Sequence, residues 1–262
     1  MANPSTGKTF IVALTVALCC SLLVSLTAVG LADRQQDNRD VDLKKNVLLA
    51  AGMYEPGVDV ASTFGEIELR IVDLETGEYV TSEQIAGAGT YRQTDARANL
   101  ELSDAISAED DIAGLGRREK YAYVGLVMDG ERIDQILFPV RGKGLFSTMF
   151  AFVSLDGDLT TVRGLTFYQH GETAGLGGEI TNPRWLEKWQ GKKLYDEAGA
   201  VKLQVVKGAV MPTTTAAEFK VDGLSGATMT SDGVTRLIQY WFGDEGFKPY
   251  LDRLRGEGGN RG

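Results

Sequence analysis

The run TFIVALTVALCCSLLVSLTAVGLA, Thr9 to Ala32, constrains this chain more than any other feature, because its 24 residues carry no charge. As a helix rising ~1.5 Å per residue, it is long enough to cross the ~30 Å hydrocarbon core of a bilayer with some tilt. Gly30-Leu31-Ala32 ends on a small residue, as a cleaved secretory signal would, but the run exceeds the ~7–15 apolar residues usual in such a signal. The reading adopted is a retained transmembrane helix over residues 9–32, after an N-terminal segment 1–8. Cys19 and Cys20 lie within it and are read as small hydrophobic side chains. Lys8 precedes the span, whereas Arg34, Arg39, Lys44 and Lys45 follow it, so the positive-inside rule weakly favours a cytoplasmic body.

With both cysteines in the span and His170 as the one histidine, the rest of the chain lacks ligands for zinc, iron-sulfur clusters or a disulfide framework. Lys and Arg number 27 against 36 Asp and Glu, a net charge of -9 without a long basic run, which argues against nucleic acid as a partner. Redox or group-transfer chemistry must therefore come mostly from an organic cofactor.

Residues 33–65 read as a polar helical stalk and linker, with an apolar face at Val41, Val47, Leu48 and Ala51 and a stop near Gly52. A soluble domain is expected over residues 66–254, followed by a frayed glycine-rich tail over 255–262. EIELRIVDLETGEYV alternates apolar and charged residues around a Thr76-Gly77 turn and reads as a hairpin. YAYVGLVMDG and RIDQILFPV form a second hairpin around Asp129-Gly130. MFAFVSL and LTTVRGLTFYQH, joined by Asp156-Gly157-Asp158, form a third. RWLEKWQGKK and SDGVTRLIQYWFG read as short helices, and Trp185, Trp189 and Trp241 as core residues. Thr81 to Arg118 has no clear pattern. The fold class is α+β, with a central antiparallel sheet and flanking helices.

Three familiar motifs fail. Gly142-Lys143-Gly144 has no glycine five residues earlier and no Ser or Thr after the lysine, so it is no phosphate loop. Gly175-Leu176-Gly177 starts a dinucleotide fingerprint but Ile180 stands where the third glycine belongs. Gly223-Leu224-Ser225-Gly226 resembles a nucleophile elbow, but Ala227 replaces the closing glycine and His170 would have to serve as base.

VDGLSGATMTSDGVTRLIQYWFG places Gly226 and Ala227 before Thr228 and then opens a helix with an apolar face at Val234, Leu237, Ile238 and Trp241. Ser231 or Thr230 can cap it. Two tiny side chains let a bulky group approach the backbone, and the helix N-terminus offers free N–H groups to an anion such as phosphate. Physically, Thr228 and Thr230 are equal candidates to carry a phosphoryl group, and an ordinary turn with a Ser/Thr cap explains the same residues.

Asp222-Gly223-Leu224-Ser225-Gly226-Ala227-Thr228 resembles, residue for residue, the Asp-x-x-Ser/Thr-Gly-Ala-Thr signature of FMN-binding domains whose last threonine is esterified to the flavin phosphate. The resemblance spans nearly the whole chain and lies with the C-type subunits of bacterial sodium-translocating NADH:quinone oxidoreductases. NVLLAAGM, VDLETGEYV, GKGLFSTMFAFVSL, HGETAGLGGEI and GFKPYL carry it. Ala174 departs from the family's usual proline, and Phe146 from its common tryptophan.

By that resemblance Thr228 holds FMN covalently. Ser225, Gly226 and Ala227 contact the phosphate, and Asp222 orders the turn or takes part in attachment. Thr173 and Leu176, in a loop shaped by Gly175 and Gly177, approach the ring. Gly144 and Leu145 close the other wall with Lys143 near the anion, while Glu172, Lys143 and His170 have a bland alternative as solvated residues. The resemblance implies an electron-carrying subunit in the inner membrane with its domain in the periplasm. Its partners are the other subunits of the complex, a flavin transferase and membrane lipid; NADH, FAD, iron-sulfur and quinone chemistry falls to the partner subunits. Alternatives are the G-type subunit of an Rnf-type electron transport complex, a membrane-tethered binding module without redox function, and, third, a hydrolase using Ser225.

Overall fold

The computed structural model describes residues 6–85 and 90–259. They divide into two compact units, before and from Lys44. The first is helical: α1 runs Thr6–Ala50, so the expected span and stalk form one helix whose last residues belong to the second unit. Between Phe10 and Leu31 its large apolar side chains are exposed, as lipid contact requires, and this stretch is long and apolar enough to cross a membrane. The hydroxyls of Thr15 and Thr27 donate to the carbonyls of Ile11 and Leu23, at 2.9 and 2.8 Å, and so bring no unpaired polar group into the run. One further turn of helix, α2 (Val60–Phe64), capped by the Asp59 carboxylate, leads into the sheet.

The second unit is built on a six-stranded sheet of β1 (Ile67–Asp73), β2 (Tyr79–Val80), β5 (Tyr121–Asp129), β6 (Arg132–Lys143), β7 (Thr148–Asp156) and β8 (Val162–Gln169). Its order is β2-β1-β5-β6-β7-β8. All neighbouring pairs are antiparallel, as expected. The three hairpins expected from alternation are all present, and Gly77 and Gly130 take the left-handed backbone (φ 74° and 62°) that their turns need. Strands β3 (Ser103–Ala105) and β4 (Arg117–Glu119) make a small antiparallel ribbon, and the short helix α3 (Gln93–Ala96) precedes them. Polar, glycine-spotted sequence hid these elements.

Alternation along the central strands gives the sheet two apolar faces. Leu137 of β6 and Phe152 of β7 pack with Val47, Leu48, Ala50 and Ala51 at the end of α1. Ile136, Phe138 and Val153 point the other way, into the main core with α5 (Thr228–Trp241) and α6 (Lys248–Gly259). Phe138 meets Phe242 and Phe247 with ring centroids 5.3 and 4.8 Å apart. The three tryptophans are buried in this core, and the Trp241 indole donates to the Arg141 carbonyl at 2.7 Å. A two-stranded parallel ribbon of β9 (Gln204–Val206) and β10 (Lys220–Asp222) completes the unit. The helix expected from RWLEKWQGKK is shorter: α4 covers Pro183–Leu186, capped by Asn182, and passes into a 3₁₀ turn.

Two expectations are corrected. Val41 is 51% exposed and takes no part in the apolar face, which begins at Val47. Helix α6 continues past Arg255 to Gly259, within the stretch expected to be a tail. Its Arg255 donates to Asp252 at 2.7 Å and to the Leu159 carbonyl at 2.9 Å. Residues 260–262 lie outside the described residues.

Candidate functional site

At one end of the sheet the chain gathers the turn between β6 and β7, the loop after β8, and the turn between β10 and α5. A single carboxylate joins the first two to the helix. Glu172, 7% exposed, accepts hydrogen bonds on Oε1 from the Phe146 and Ser147 amides at 3.0 and 3.2 Å. Its Oε2 accepts from the Leu145 amide at 3.1 Å and the Thr230 hydroxyl at 2.6 Å. Burial alone would raise its pKa. The Thr230 hydroxyl and three amides outweigh that, so the carboxyl titrates below its ordinary value and the group is an anion at neutral pH.

Two glycines make room for this joint. A Cβ on Gly144 would lie 2.5 Å from Glu172 Oε1, and one on Gly177 would lie 2.5 Å from Thr230 Oγ1. Ser147 Oγ adds a second link between the loops by accepting from the Gly171 amide at 2.5 Å. His170 is half-buried, and its Nδ1 accepts from the Glu172 amide at 3.2 Å. The solvated alternative is thereby corrected for Glu172, whose carboxyl oxygens are all engaged by protein groups.

Helix α5 begins at Thr228 rather than at Ser231, with Ala227 in the cap position and no side chain capping it. Neither expected cap is one: Thr230 donates to Glu172, and Ser231 Oγ accepts from the Leu224 amide at 3.2 Å. The Ser231 amide bonds to the Ala227 carbonyl, which leaves the Thr228, Met229 and Thr230 amides as the free donors of the first turn. Gly226 takes φ +71° to turn the chain into the helix, and a Cβ there would lie 3.0 Å from Leu176 Cδ2. Leu176 therefore bridges the β8 loop and the Ser225–Thr228 turn.

The two candidate threonines differ sharply in access. Thr228 is exposed, whereas Thr230 is 1% exposed. Ser225 and Gly226 are exposed and Ala227 is buried. Thr173 is exposed, and its carbonyl accepts from the Leu176 and Gly178 amides while Gly175 takes φ +76°. Leu145, Phe146, Leu176 and Met229 are 39%, 65%, 44% and 60% exposed, an apolar rim on the segments that carry Thr228 and Glu172.

Asp222 and Lys143 follow the plainer of the readings open to each. Asp222 accepts from the Lys188 ammonium and, at 2.9 Å, from the Val210 amide. Burial raises its pKa, but these partners prevail and hold it below the ordinary value. The Trp185 indole donates to its carbonyl at 2.8 Å, so Asp222 orders the turn. Lys143 is exposed, and its Cβ faces Gly114, whereas the preceding Gly142 faces Leu237 of α5. Strand alternation thus sends the lysine side chain to the side away from Leu237.

Sequence reasoning missed a cavity of about 580 Å³ behind the Ser147–Gly171 link, lined by Arg97, Arg141, Phe150, Gln169 and His170 among others. The buried Arg141 pairs there with Glu119 at 2.6 Å. No sequence spacing announces it, because its walls come from five separate stretches of chain.

The site fits a flavin nucleotide: a free hydroxyl at an uncapped helix N-terminus suits a phosphate, and the apolar rim suits an aromatic ring. Residues 144–243 match the model of the FMN-binding domain family. The chain is 44% identical over 260 residues to the C subunit of the Na(+)-translocating NADH-quinone reductase of Pseudomonas aeruginosa, covering 97% of this chain and 98% of the relative. It is 42% identical to the corresponding protein of Vibrio alginolyticus, covering 97% of this chain and 96% of the relative. The crystal structure of Shewanella oneidensis NqrC superposes with a TM-score of 0.74 at 33% identity, over 82% of this chain and 97% of that one. The crystal structure of the same reductase's C subunit from Parabacteroides distasonis gives 0.62 at 25% identity, over 84% and 96%. Identity at this level over nearly the full length places the chain in the NqrC family, the C subunits of the Na+-translocating NADH-quinone reductases.

Proposed function

We propose that this chain carries FMN as a phosphoester on Thr228 and relays electrons within a sodium-translocating NADH:quinone oxidoreductase. The observation that carries the reading is the exposed Thr228 hydroxyl at the uncapped start of α5, beside a Thr230 that is buried and already bonded. FMN supplies one- and two-electron chemistry when bound. The free amides of the first turn hold the phosphate, Ser225 and the Gly226–Ala227 backbone close around it, and Leu176, Leu145 and Phe146 shield one end of the ring site from water. Thr173 and the Gly175 turn position Leu176. An ester forms only as the hydroxyl loses its proton and phosphorus loses a leaving group, so the donor is an anhydride of FMN and a flavin transferase is the partner that uses it.

Helix α1 anchors the chain in the inner membrane among lipid and the partner subunits, with the domain in the periplasm. The relatives' membership of that complex supports the membrane location; the periplasmic side rests on the family resemblance and runs against the weak charge bias around the span.

The test is expression with a flavin transferase, denaturing electrophoresis and in-gel flavin fluorescence. Fluorescence is expected in the unmutated chain and, at lower yield, in Thr230→Val, and none in Thr228→Ala. An unlabelled parent chain returns the Ser225–Thr228 turn to being a helix start without covalent chemistry. Co-purifying subunits and their electron donor, NADH or ferredoxin, separate this complex from an Rnf-type one, and a C-terminal reporter fusion reads the topology.

A further inference from the structure

Glu172 is an unusual buried anion. Among the described residues no Lys, Arg or His forms an ion pair with it; every donor it meets is a backbone amide or the Thr230 hydroxyl. Three consecutive amides, from Leu145 to Ser147, aim at one carboxylate, an arrangement that forms only when that turn adopts one backbone conformation. The fourth donor belongs to the first turn of α5, two residues after Thr228. The glycines at 144 and 177 keep the two sides within reach, since a Cβ on either would collide with the joint.

We propose that Glu172 is a positioning residue: its carboxylate locks the Leu145–Ser147 turn to the start of α5, and so fixes the separation between the Thr228 hydroxyl and the apolar wall at Leu145 and Phe146. This rests on the flavin reading for its purpose, but the joint itself is a property of the chain without cofactor. Because both carboxyl oxygens are filled by protein donors, Glu172 acts through Thr230 and the turn and not by touching the flavin. The same bond occupies the Thr230 hydroxyl, which confines modification to Thr228.

Glutamine matches the shape of Glu172 but turns one acceptor into a donor, so Glu172→Gln leaves at least one of the four donors facing an N–H group. The primary measurement is amide hydrogen exchange on the flavin-free chain. Glu172→Gln is expected to speed exchange at the Leu145, Phe146 and Ser147 amides and at the Ser231 amide, the first bonded donor of α5, roughly tenfold, which is about 1.4 kcal/mol, with β5 to β8 unchanged. Thr230→Val should loosen the same two segments, and Thr230→Ser, which keeps the hydroxyl, should restore them. The second measurement is the yield of fluorescent flavin-bearing chain per mole of protein, expected to fall severalfold in Glu172→Gln and Thr230→Val and to recover in Thr230→Ser.

Unchanged local exchange in both Glu172→Gln and Thr230→Val overturns the proposal, as does a uniform rise across the sheet, which would make Glu172 a general stability element. Should Glu172→Gln fail to fold, the Thr230 pair decides. A parent chain that takes no flavin sinks the attachment reading alone, because the exchange arm still tests the joint. Local loosening with full flavin yield shows that the joint exists but positions nothing, and also overturns the proposal.

Discussion

Among the described residues the domain buries two glutamates and satisfies them in opposite ways. Glu119, 2% exposed, meets a cation: Arg141 lies at 2.6 Å, and the Gln93 amide donates at 2.9 Å. Glu172 meets no cation and depends on backbone amides of a turn plus one hydroxyl. An ion pair between two side chains tolerates small backbone shifts, because both partners carry rotatable bonds. A carboxylate held by three successive amides tolerates none, since losing the turn loses all three at once. The first arrangement ties the β3–β4 ribbon to β6, the second lies at the rim where Thr228 is displayed.

The largest expected effect breaks the first arrangement. Glu119→Ala leaves the Arg141 guanidinium buried without its carboxylate, a change that costs about 3–5 kcal/mol in comparable buried pairs. Chemical denaturation reads it, and Glu119→Ala combined with Arg141→Met should recover part of the loss. A single-mutant loss under about 1 kcal/mol would mean water relaxes the pair, and the contrast with Glu172 would fail.

Next comes acid. The folded state holds the Glu172 carboxyl below its ordinary value of 4.5, so its contribution is fully present above that pH and is lost as pH falls through the folded value. Glu172→Gln has no proton to gain there. At neutral pH the free energy of opening the Leu145–Ser147 turn, read by amide exchange, should be higher in the parent chain than in the variant by about 1.5 kcal/mol, the low end for hydrogen bonds to a charged group. The gap should close as the pH falls below that ordinary value. A pH-independent gap would assign the effect to shape and not to charge.

Gly177→Ala tests the space around the same joint. Its Cβ would meet Thr230 Oγ1 at 2.5 Å and Glu172 Oε2 at 3.0 Å, and overpacking of this kind costs about 1–3 kcal/mol. The loss should shrink in a Thr230→Ala background, where the clash is removed; full additivity would place the strain elsewhere.

How much of this was legible in the sequence depends on range. The three hairpins were readable because period-two alternation and glycine turns are local signals, as at Asp129-Gly130. The helix after Thr228 was readable from its apolar face, but its first residue was not, because Ala227 caps nothing and the hydroxyls of Thr230 and Ser231 bond outside the cap. The difference in access between Thr228 and Thr230 follows once the helix is known to begin at Thr228. Two residues on a helix stand about 200° apart, and Thr230 shares the face of Val234, Leu237 and Trp241, which consigns it to the interior and Thr228 to the surface. Glu172 gave no such signal: its partners at 145–147 and 230 are distant in sequence, and a glutamate in a glycine-rich loop reads as solvated.

The smallest expected effect on the fold sharpens the comparison most. Thr228→Val removes the exposed hydroxyl while keeping the branched shape, and no hydrogen bond of α5 depends on that hydroxyl. Threonine and valine have similar helix propensity, so stability should change by less than about 0.5 kcal/mol, the usual range for surface substitutions. Denaturant midpoints with an unchanged slope read this directly. Thr230→Val, two residues on, removes a hydroxyl that a buried carboxylate requires, and should cost distinctly more. Equal losses at the two positions would mean that the Thr228 hydroxyl is also structural. It would then be no freer than its neighbour to accept a phosphate, and the division between a displayed rim and a buried joint would be lost.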